Sequence, residues 1–225
     1  MDEDERASAS VKAALFLRNV AFIARNTRLL TATKPSAAIR GEYGAVMEQV
    51  ADLKAHLGRK LRYPSNYDIR GSAGLLIYDI VRERKPKVAV ETGVGNGLSA
   101  RLILEAMERN GKGNLYSTEV SRKVGELIAG RCAKRWRLSV GPRGTVLSRT
   151  MTRLGKIDLF LHDSDHSYSN MVFELNAVQG RLAPGAVVMS DDVSANDAFM
   201  EFAQKLDAQP RIIPDIRRCF GYLEL

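Results

Sequence analysis

Two acidic clusters, His162-Asp163-Ser164-Asp165-His166 and Ser190-Asp191-Asp192, each follow a short apolar run, Ile157–Leu161 and Ala186–Met189 respectively. If those runs are neighbouring parallel strands, their carboxylates converge on one crevice, where they hold a cation or carry out proton chemistry. Upstream lies the turn Glu91-Thr92-Gly93-Val94-Gly95-Asn96-Gly97. Glycines there permit positive φ and leave no Cβ in the way, so bare backbone can approach a ligand. The spacing departs from the Gly-x-Gly-x-x-Gly dinucleotide fingerprint, because the third glycine comes one residue early. A nucleoside cofactor sharing its cleft with a metal ion is the chemistry these residues suggest, and Glu119 downstream is placed to accept hydrogen bonds from ribose hydroxyls.

The elements that must position these groups follow from Pro86 onward, where short apolar runs alternate with amphipathic stretches, the pattern of successive βα units. Strands are predicted at Val88–Val90, Leu115–Thr118, Arg137–Val140, Ile157–Leu161 and Val187–Met189, with helices between them. Leu98, Leu102, Ile103, Ala106 and Met107 form the buried stripe of the first of those helices, and Gly111 caps it. Arg211–Ile213 and Cys219–Leu223, joined through Pro214–Arg218, are predicted to finish the sheet with an antiparallel edge. The fold class is therefore α/β, a doubly wound, mostly parallel sheet. Before it, Ser8–Leu30 and Glu42–Leu57 have helical spacing, with Val46, Val50, Leu53 and Leu57 on one face. The turn formers of Tyr63–Tyr67 end this stretch, and Ala73–Arg84 is a further helix. The expected division is a helical extension over 1–63 and a cofactor-binding domain over 64–225.

From about Gly71 to the C-terminus the chain resembles the class I S-adenosylmethionine-dependent methyltransferases, and within them the metal-dependent small-molecule O-methyltransferases of catechol and antibiotic-sugar type. Val90-Glu91-Thr92-Gly93-Val94-Gly95-Asn96-Gly97-Leu98-Ser99 is similar to the family's first motif. The resemblance implies a cofactor site of Glu91, Gly93 and Gly95 at the turn, Ser99 on the methionine carboxylate and Glu119 on the ribose. Gly71-Ser72-Ala73-Gly74 is similar to the family's helix start near the methionine end. After the third strand the chain reads Gly141-Pro142-Arg143-Gly144, where relatives often place a polar or acidic residue for the adenine. Catechol-type relatives usually carry lysine at the position of His166 and asparagine at that of Asp192, so the pair here stands closer to sugar-modifying relatives.

Oxygens from Asp163, Asp191 and Asp192, completed by water and substrate, suit a hard divalent ion such as Mg²⁺. Such an ion would orient a substrate hydroxyl and lower its pKa for attack on the sulfonium methyl group. Asp165 and His166 are the candidate general bases, histidine because it titrates near neutral pH. His162, nearer the strand, reads as an internal hydrogen-bonded residue. Helix or turn capping would account for one of these aspartates. Several carboxylates at two strand ends repel one another unless a cation or a shared proton relieves them.

Composition narrows the remaining choices. The apolar runs Ala13–Leu17 and Val20–Ala24 are broken by Arg18-Asn19 and closed by Arg25, well short of the roughly 20 residues of a spanning helix. The run Met1–Glu5 is acidic where a secretory signal would be basic, and Cys132 and Cys219 form no disulfide framework, so a cytoplasmic setting is expected. The net charge of +8 draws on Lys12, Arg18, Arg25, Arg28, Lys34, Arg40, Lys54, Arg59, Lys60 and Arg62. A solvated helix surface explains these better than nucleic acid, since no interleaved aromatics accompany them. Tyr43, Tyr63 and Tyr67 are either a lid or core, with core the default, and Trp136 is expected in the core. Phe16, Val20 and Ile23 make a stripe that covers the sheet, touches a membrane surface or joins copies of the chain. The reading is O-methylation of a small-molecule hydroxyl, a sugar or other natural product. Methylation of RNA or another macromolecule, and a non-catalytic cofactor-binding module that assembles through its N-terminal helices, stand as alternatives.

Overall fold

All five strands expected from the apolar runs form, and they pair in parallel. The computed structural model describes residues 3–69, 71–215 and 217–225, with the side chains of 3–10, 59 and 66 excepted. Met1 and Asp2 of the acidic run and the side chain of Arg59 therefore lie outside the described residues. The strands are β1 (Val88–Thr92), β2 (Asn114–Glu119), β3 (Trp136–Val140), β4 (Ile157–His162), β5 (Leu182–Ser190), β6 (Arg211–Ile213) and β7 (Phe220–Glu224). They form one seven-stranded sheet in the order β3-β2-β1-β4-β5-β7-β6. Of these only β7 runs antiparallel, pairing with both β5 and β6. The strand order reverses between β1 and β4, so the crossovers from those strands leave in opposite directions and open a crevice at their carboxyl ends.

The helices are α1 (Glu3–Arg25), α2 (Ala37–Leu57), α3 (Gly71–Arg84), α4 (Leu98–Asn110), α5 (Arg143–Arg153), α6 (Tyr168–Gln179) and α7 (Ala198–Lys205). One face of the sheet packs under α2, α3 and α4 through a core that includes Val46, Val50, Ile77, Leu102 and Ile103. The other face carries α5, α6 and α7, with Phe160, Met171, Phe199 and Phe202, and receives Phe22 from α1. The N-terminal helices thus contribute to both layers. Gly111 ends α4 in the left-handed conformation at φ 69°, as its position after the apolar stripe predicts.

Two expectations need correction. No α-helix joins β2 to β3: residues 120–135 run as turns with a 3-10 segment at Arg131–Arg135. The amides of Gly125 and Leu127 there bond the carbonyls of Gly95 and Asn96 at 2.9 Å each, so the backbone is committed to bracing the glycine turn. The first helix stops at Arg25, before Leu30, because the Asn26 side chain bonds the Phe22 carbonyl at 2.9 Å and a 3-10 turn follows at Thr27–Leu29. Leu30 then bridges Ile212 at the sheet edge. The stripe of Phe16, Val20 and Ile23 divides: Phe16 and Val20 are 46% and 41% exposed, while Ile23 packs beside Phe22 against the core. No helix among the described residues is long and apolar enough to cross a membrane.

Candidate active site

Register explains why the two acidic clusters meet. Thr92 of β1 lies opposite His162 of β4, and His162 lies opposite Ser190 of β5. The residues that follow, Gly93, Asp163 and Asp191, therefore leave the sheet side by side. The ladder continues through them, with the Asp163 amide on the Thr92 carbonyl at 3.0 Å and the Asp191 amide on the His162 carbonyl at 2.9 Å. Gly93 has φ 79°, and a Cβ there would stand 2.1 Å from the Asp163 carbonyl oxygen, so only glycine lets the two loops approach this closely. Above them opens a cleft of about 530 Å³, within the roughly 300–1,000 Å³ of small-molecule sites.

At the β1–β2 end the cleft is lined by Gly93, Val94, Gly95 and Glu119, with Tyr63 and Tyr67 beside them. Glu119 takes the Val94 amide at 3.2 Å and the Val120 amide at 2.6 Å. Asn96, 2% exposed, clasps the backbone of Tyr63 in both directions, at 3.1 Å to its amide and 2.8 Å to its carbonyl. That clasp carries the two tyrosines to the cleft, whereas Tyr43 packs against the core. Glu91 and Ser99 lie underneath and do not line the cleft. Ser99 donates to Glu91 Oε1 at 2.6 Å and Ser117 to Oε2 at 2.8 Å, so the pair fixes the turn from below. Burial pushes the Glu91 carboxyl up to about 7 against the lowering effect of the two serines.

At the β4–β5 end, Asp163, His166 and Asp191 gather so that one ligating atom of each lies within 4.8 Å of the others. His166 Nε2 is 3.9 Å from Asp163 Oδ1 and 3.8 Å from Asp191 Oδ2, and it is buried without a hydrogen-bond partner. Burial, then the nearness of Asp191 and Glu91, raises the Asp163 carboxyl well above the usual carboxylate range. Burial likewise lowers His166.

The other two predicted residues point elsewhere. Asp192, in the left-handed region at φ 42°, accepts from Arg18 at 2.8 Å and from Ser194 at 3.0 Å. Asp165 faces Arg143 and accepts from the Ser167 amide at 3.1 Å. Against the raising effect of burial, Ser167 and Arg143 hold Asp165 below the usual range, which ill suits a general base. His162 is internal as expected, its Nδ1 2.6 Å from Glu174 Oε2.

Sequence reasoning passed over the arginines. Arg18 from α1 and Arg218 from the β6–β7 connection both line the cleft, and Arg218 reaches Asp191 Oδ2 at 3.2 Å. The available signal was the Arg18-Asn19 pair that interrupts an apolar helix. Glu174 and Ser164, bonded to one another at 2.9 Å beneath His162, were also missed.

A doubly wound sheet with β7 antiparallel, a glycine turn after β1 and a carboxylate after β2 defines the Rossmann-like methyltransferase fold. An O-methyltransferase from Bacillus cereus, in complex with SAH, superposes with a TM-score of 0.62 at 14% identity, covering 80% of this chain and 91% of that one. TomG of Streptomyces achromogenes, an O-methyltransferase involved in tomaymycin synthesis and solved with SAM, gives 0.59 at 18%, covering 100% and 98%. The SAH-bound methyltransferase PaMTH1 of Podospora anserina gives 0.55 at 17%, covering 100% and 97%. No protein of curated function matches the sequence. Residues 90–193 match a family described as a methyltransferase domain. Residues 90–193 thus carry a methyltransferase domain, and the chain as a whole has the fold of these SAH- and SAM-bound neighbours.

Proposed function

We propose that the enzyme moves a methyl group from S-adenosylmethionine to a hydroxyl of a small molecule, a sugar or other natural product, with the help of a divalent cation. The observation that carries this reading is the meeting of Asp163 and the unpartnered His166 Nε2 with the buried Asp191, where Asp163 and His166 line the same cleft as Gly93, Gly95 and Glu119.

The residues fit a cation. Two carboxylates that repel one another, of which Asp191 also takes Arg218 at 3.2 Å, and an orphaned imidazole nitrogen form a donor set that an ion relieves. Asp163 and Asp191 would hold it, with Asp192 beside them at the mouth of α1. Bound there, the ion supplies Lewis acidity that lowers the pKa of an acceptor hydroxyl. Of the two predicted bases, only His166 faces this cluster. At the donor end, Glu119 is placed for the ribose. Gly93 and Gly95 offer bare backbone to the cofactor, while Glu91 and Ser99 hold that backbone in position. The rest of the catalysis is alignment of acceptor and methyl carbon at about 3–3.5 Å.

The O-methyltransferase neighbours and the size of the cleft support a small acceptor. A macromolecular acceptor has less support, because Arg18 and Lys54 of the basic set are paired with Asp192 and Asp68 and no interleaved aromatics accompany the rest. Cys132 and Cys219 are free and buried, in keeping with a reducing cytoplasm. Self-association through the N-terminal helices is consistent with the exposure of Val11, Phe16 and Leu17 on α1 and is read by mass measurement.

The test is methyl transfer from labelled S-adenosylmethionine to a panel of sugars and phenols, with and without a chelator. Oxygen-methylated product is expected, together with turnover that is lost on chelation and restored by a divalent ion. Asp191→Asn should lower turnover about 100-fold while leaving SAH affinity within about threefold. Undiminished turnover in chelator would remove the metal, and methylation at nitrogen alone would remove the hydroxyl acceptor.

A further inference from the structure

Resting on the metal-assisted reading above, we propose that His166 is a ligand of the cation and that Asp192 is not, so the site is a two-carboxylate, one-imidazole set that prefers a first-row transition ion to Mg²⁺.

After β5 the pair divides: Asp191 turns toward Asp163, and Asp192, in the left-handed region at φ 42°, turns toward α1. Asp192 is held there by a closed set of contacts. Arg18 bonds Asp192 Oδ1 at 2.8 Å and Asn19 Oδ1 at 3.2 Å. Ser194 Oγ lies 2.6 Å from Asn19 Oδ1 and 3.0 Å from Asp192 Oδ1. Asn19 is 0% exposed and Ser194 5%, so the inner side of the set is buried, while Arg18 and Asp192 face the cleft. Swinging Asp192 onto an ion beside Asp163 would strand the Arg18 guanidinium and break contacts to a residue already in a left-handed conformation.

His166 is fixed in the opposite sense. Its carbonyl takes the Asn196 side chain at 2.9 Å. Its ring meets the edge of His162 at 5.4 Å between centroids and 87° between planes. His162 is itself anchored on Glu174. The result is an imidazole whose Nε2 stands at nearly equal distance from two carboxylate oxygens and bonds neither. A base kept for a substrate hydroxyl would face the open cleft. This nitrogen faces Asp163 Oδ1 and Asp191 Oδ2, the two oxygens that a cation would share, the second exchanging its 3.2 Å contact with the partly exposed Arg218 for the ion.

The donor chemistry then sets the ion. Mg²⁺ seeks an oxygen shell and keeps its waters, whereas an imidazole nitrogen draws Mn²⁺, Fe²⁺, Co²⁺ or Zn²⁺. His166 as ligand leaves the deprotonation of the acceptor to the ion's lowering of the hydroxyl pKa.

The test uses Mn²⁺ with the full chain and needs no acceptor. Mn²⁺ affinity is measured by electron paramagnetic resonance with Mg²⁺ as competitor, and ¹⁴N modulation of the bound signal reports a nitrogen ligand. Expected results are ¹⁴N modulation in the native protein, and displacement of Mn²⁺ only by Mg²⁺ in about 100-fold excess. His166→Gln should lose the modulation and about 100-fold in affinity while still binding SAH, and Asp192→Asn should keep the modulation. Bound Mn²⁺ without ¹⁴N modulation, or a signal abolished by Asp192→Asn, overturns the assignment of His166 while leaving a metal-assisted enzyme in place. Failure of the native protein to bind Mn²⁺ at all sinks the metal reading itself. Because the native spectrum alone decides between nitrogen and oxygen ligation, the test survives a His166 variant that does not fold.

Discussion

The two ends of the cleft are built by different means. At the proposed donor end, contacts are made mainly by backbone and by small or buried side chains: the turn from Gly93 to Gly97, the amides that Glu119 receives, the serines under Glu91. At the proposed acceptor end, charged side chains from separate elements meet, Arg18 of α1 with Asp192 and Arg218 of the β6–β7 connection with Asp191. A site that must hold one unvarying cofactor can be hard-wired in the backbone. A site that selects an acceptor is assembled from long side chains on separate elements, which a few substitutions can re-aim.

The contrast breaks most sharply at Gly93. Gly93→Ala puts a methyl group 2.1 Å from the Asp163 carbonyl at a φ of 79°. The expected cost is about 3 kcal/mol of stability, read by chemical denaturation, together with loss of SAH binding. Because Gly93 spaces β1 from β4, this one change should damage both ends, and an alanine variant that binds SAH normally would show that the ends are less tightly joined than the geometry implies.

Glu91 sharpens the comparison through pH. Its carboxyl is buried and raised from the usual 4.5 to about 7, so the folded state holds a proton that the unfolded chain gives up earlier. Stability from this group is full below about 4.5 and is lost as pH rises through about 7, by about 3 kcal/mol. The carboxylates held below their usual range, Glu174 and Asp165, act in the opposite direction, losing stability as pH falls. The clean observable is therefore the difference between native protein and Glu91→Gln: the glutamine variant should gain relative stability from pH 5 to pH 8 in melts of the cofactor-free enzyme. A flat difference would mean that Glu91 is already ionised in the folded protein.

The same division governs what could be read from the sequence. The donor end was legible because its signals are local: a glycine turn after an apolar run, a carboxylate after the next. The strand ends bearing Asp163 and Asp191 were legible too, since parallel register brings such residues together without any knowledge of side-chain contacts. Their partners were not. Nothing in the order of residues says that Arg18 will lie beside Asp192, because that pairing depends on how α1 docks on the sheet. Likewise Asp165 and His166 differ by one position in a loop, and only the three-dimensional path decides that one meets Arg143 and the other meets the carboxylates. The missing helix between β2 and β3 has the same origin: its amides were claimed by the glycine turn, a tertiary demand that overrides local pattern.

The docking of α1 gives the last pair of predictions. Asn19→Ala removes the nearer of the two acceptors of Ser194, a fully buried amide at 2.6 Å, and should cost about 2 kcal/mol. Arg18→Gln removes a guanidinium whose side chain is 30% exposed, so screening limits its loss to about 1 kcal/mol or less. Neither residue belongs to the donor end, so SAH affinity should hold within about threefold in both variants. Amide exchange in α1 and in the Asp192–Ser194 loop should rise together, because each holds the other. If α1 exchanges faster while the loop stays protected, Arg18 and Asn19 merely tether the helix. A joint rise, with the β1–β2 turn unchanged, would show that the acceptor wall is carried on the N-terminal helix, and that re-docking this helix is the simplest way for the fold to change what it methylates.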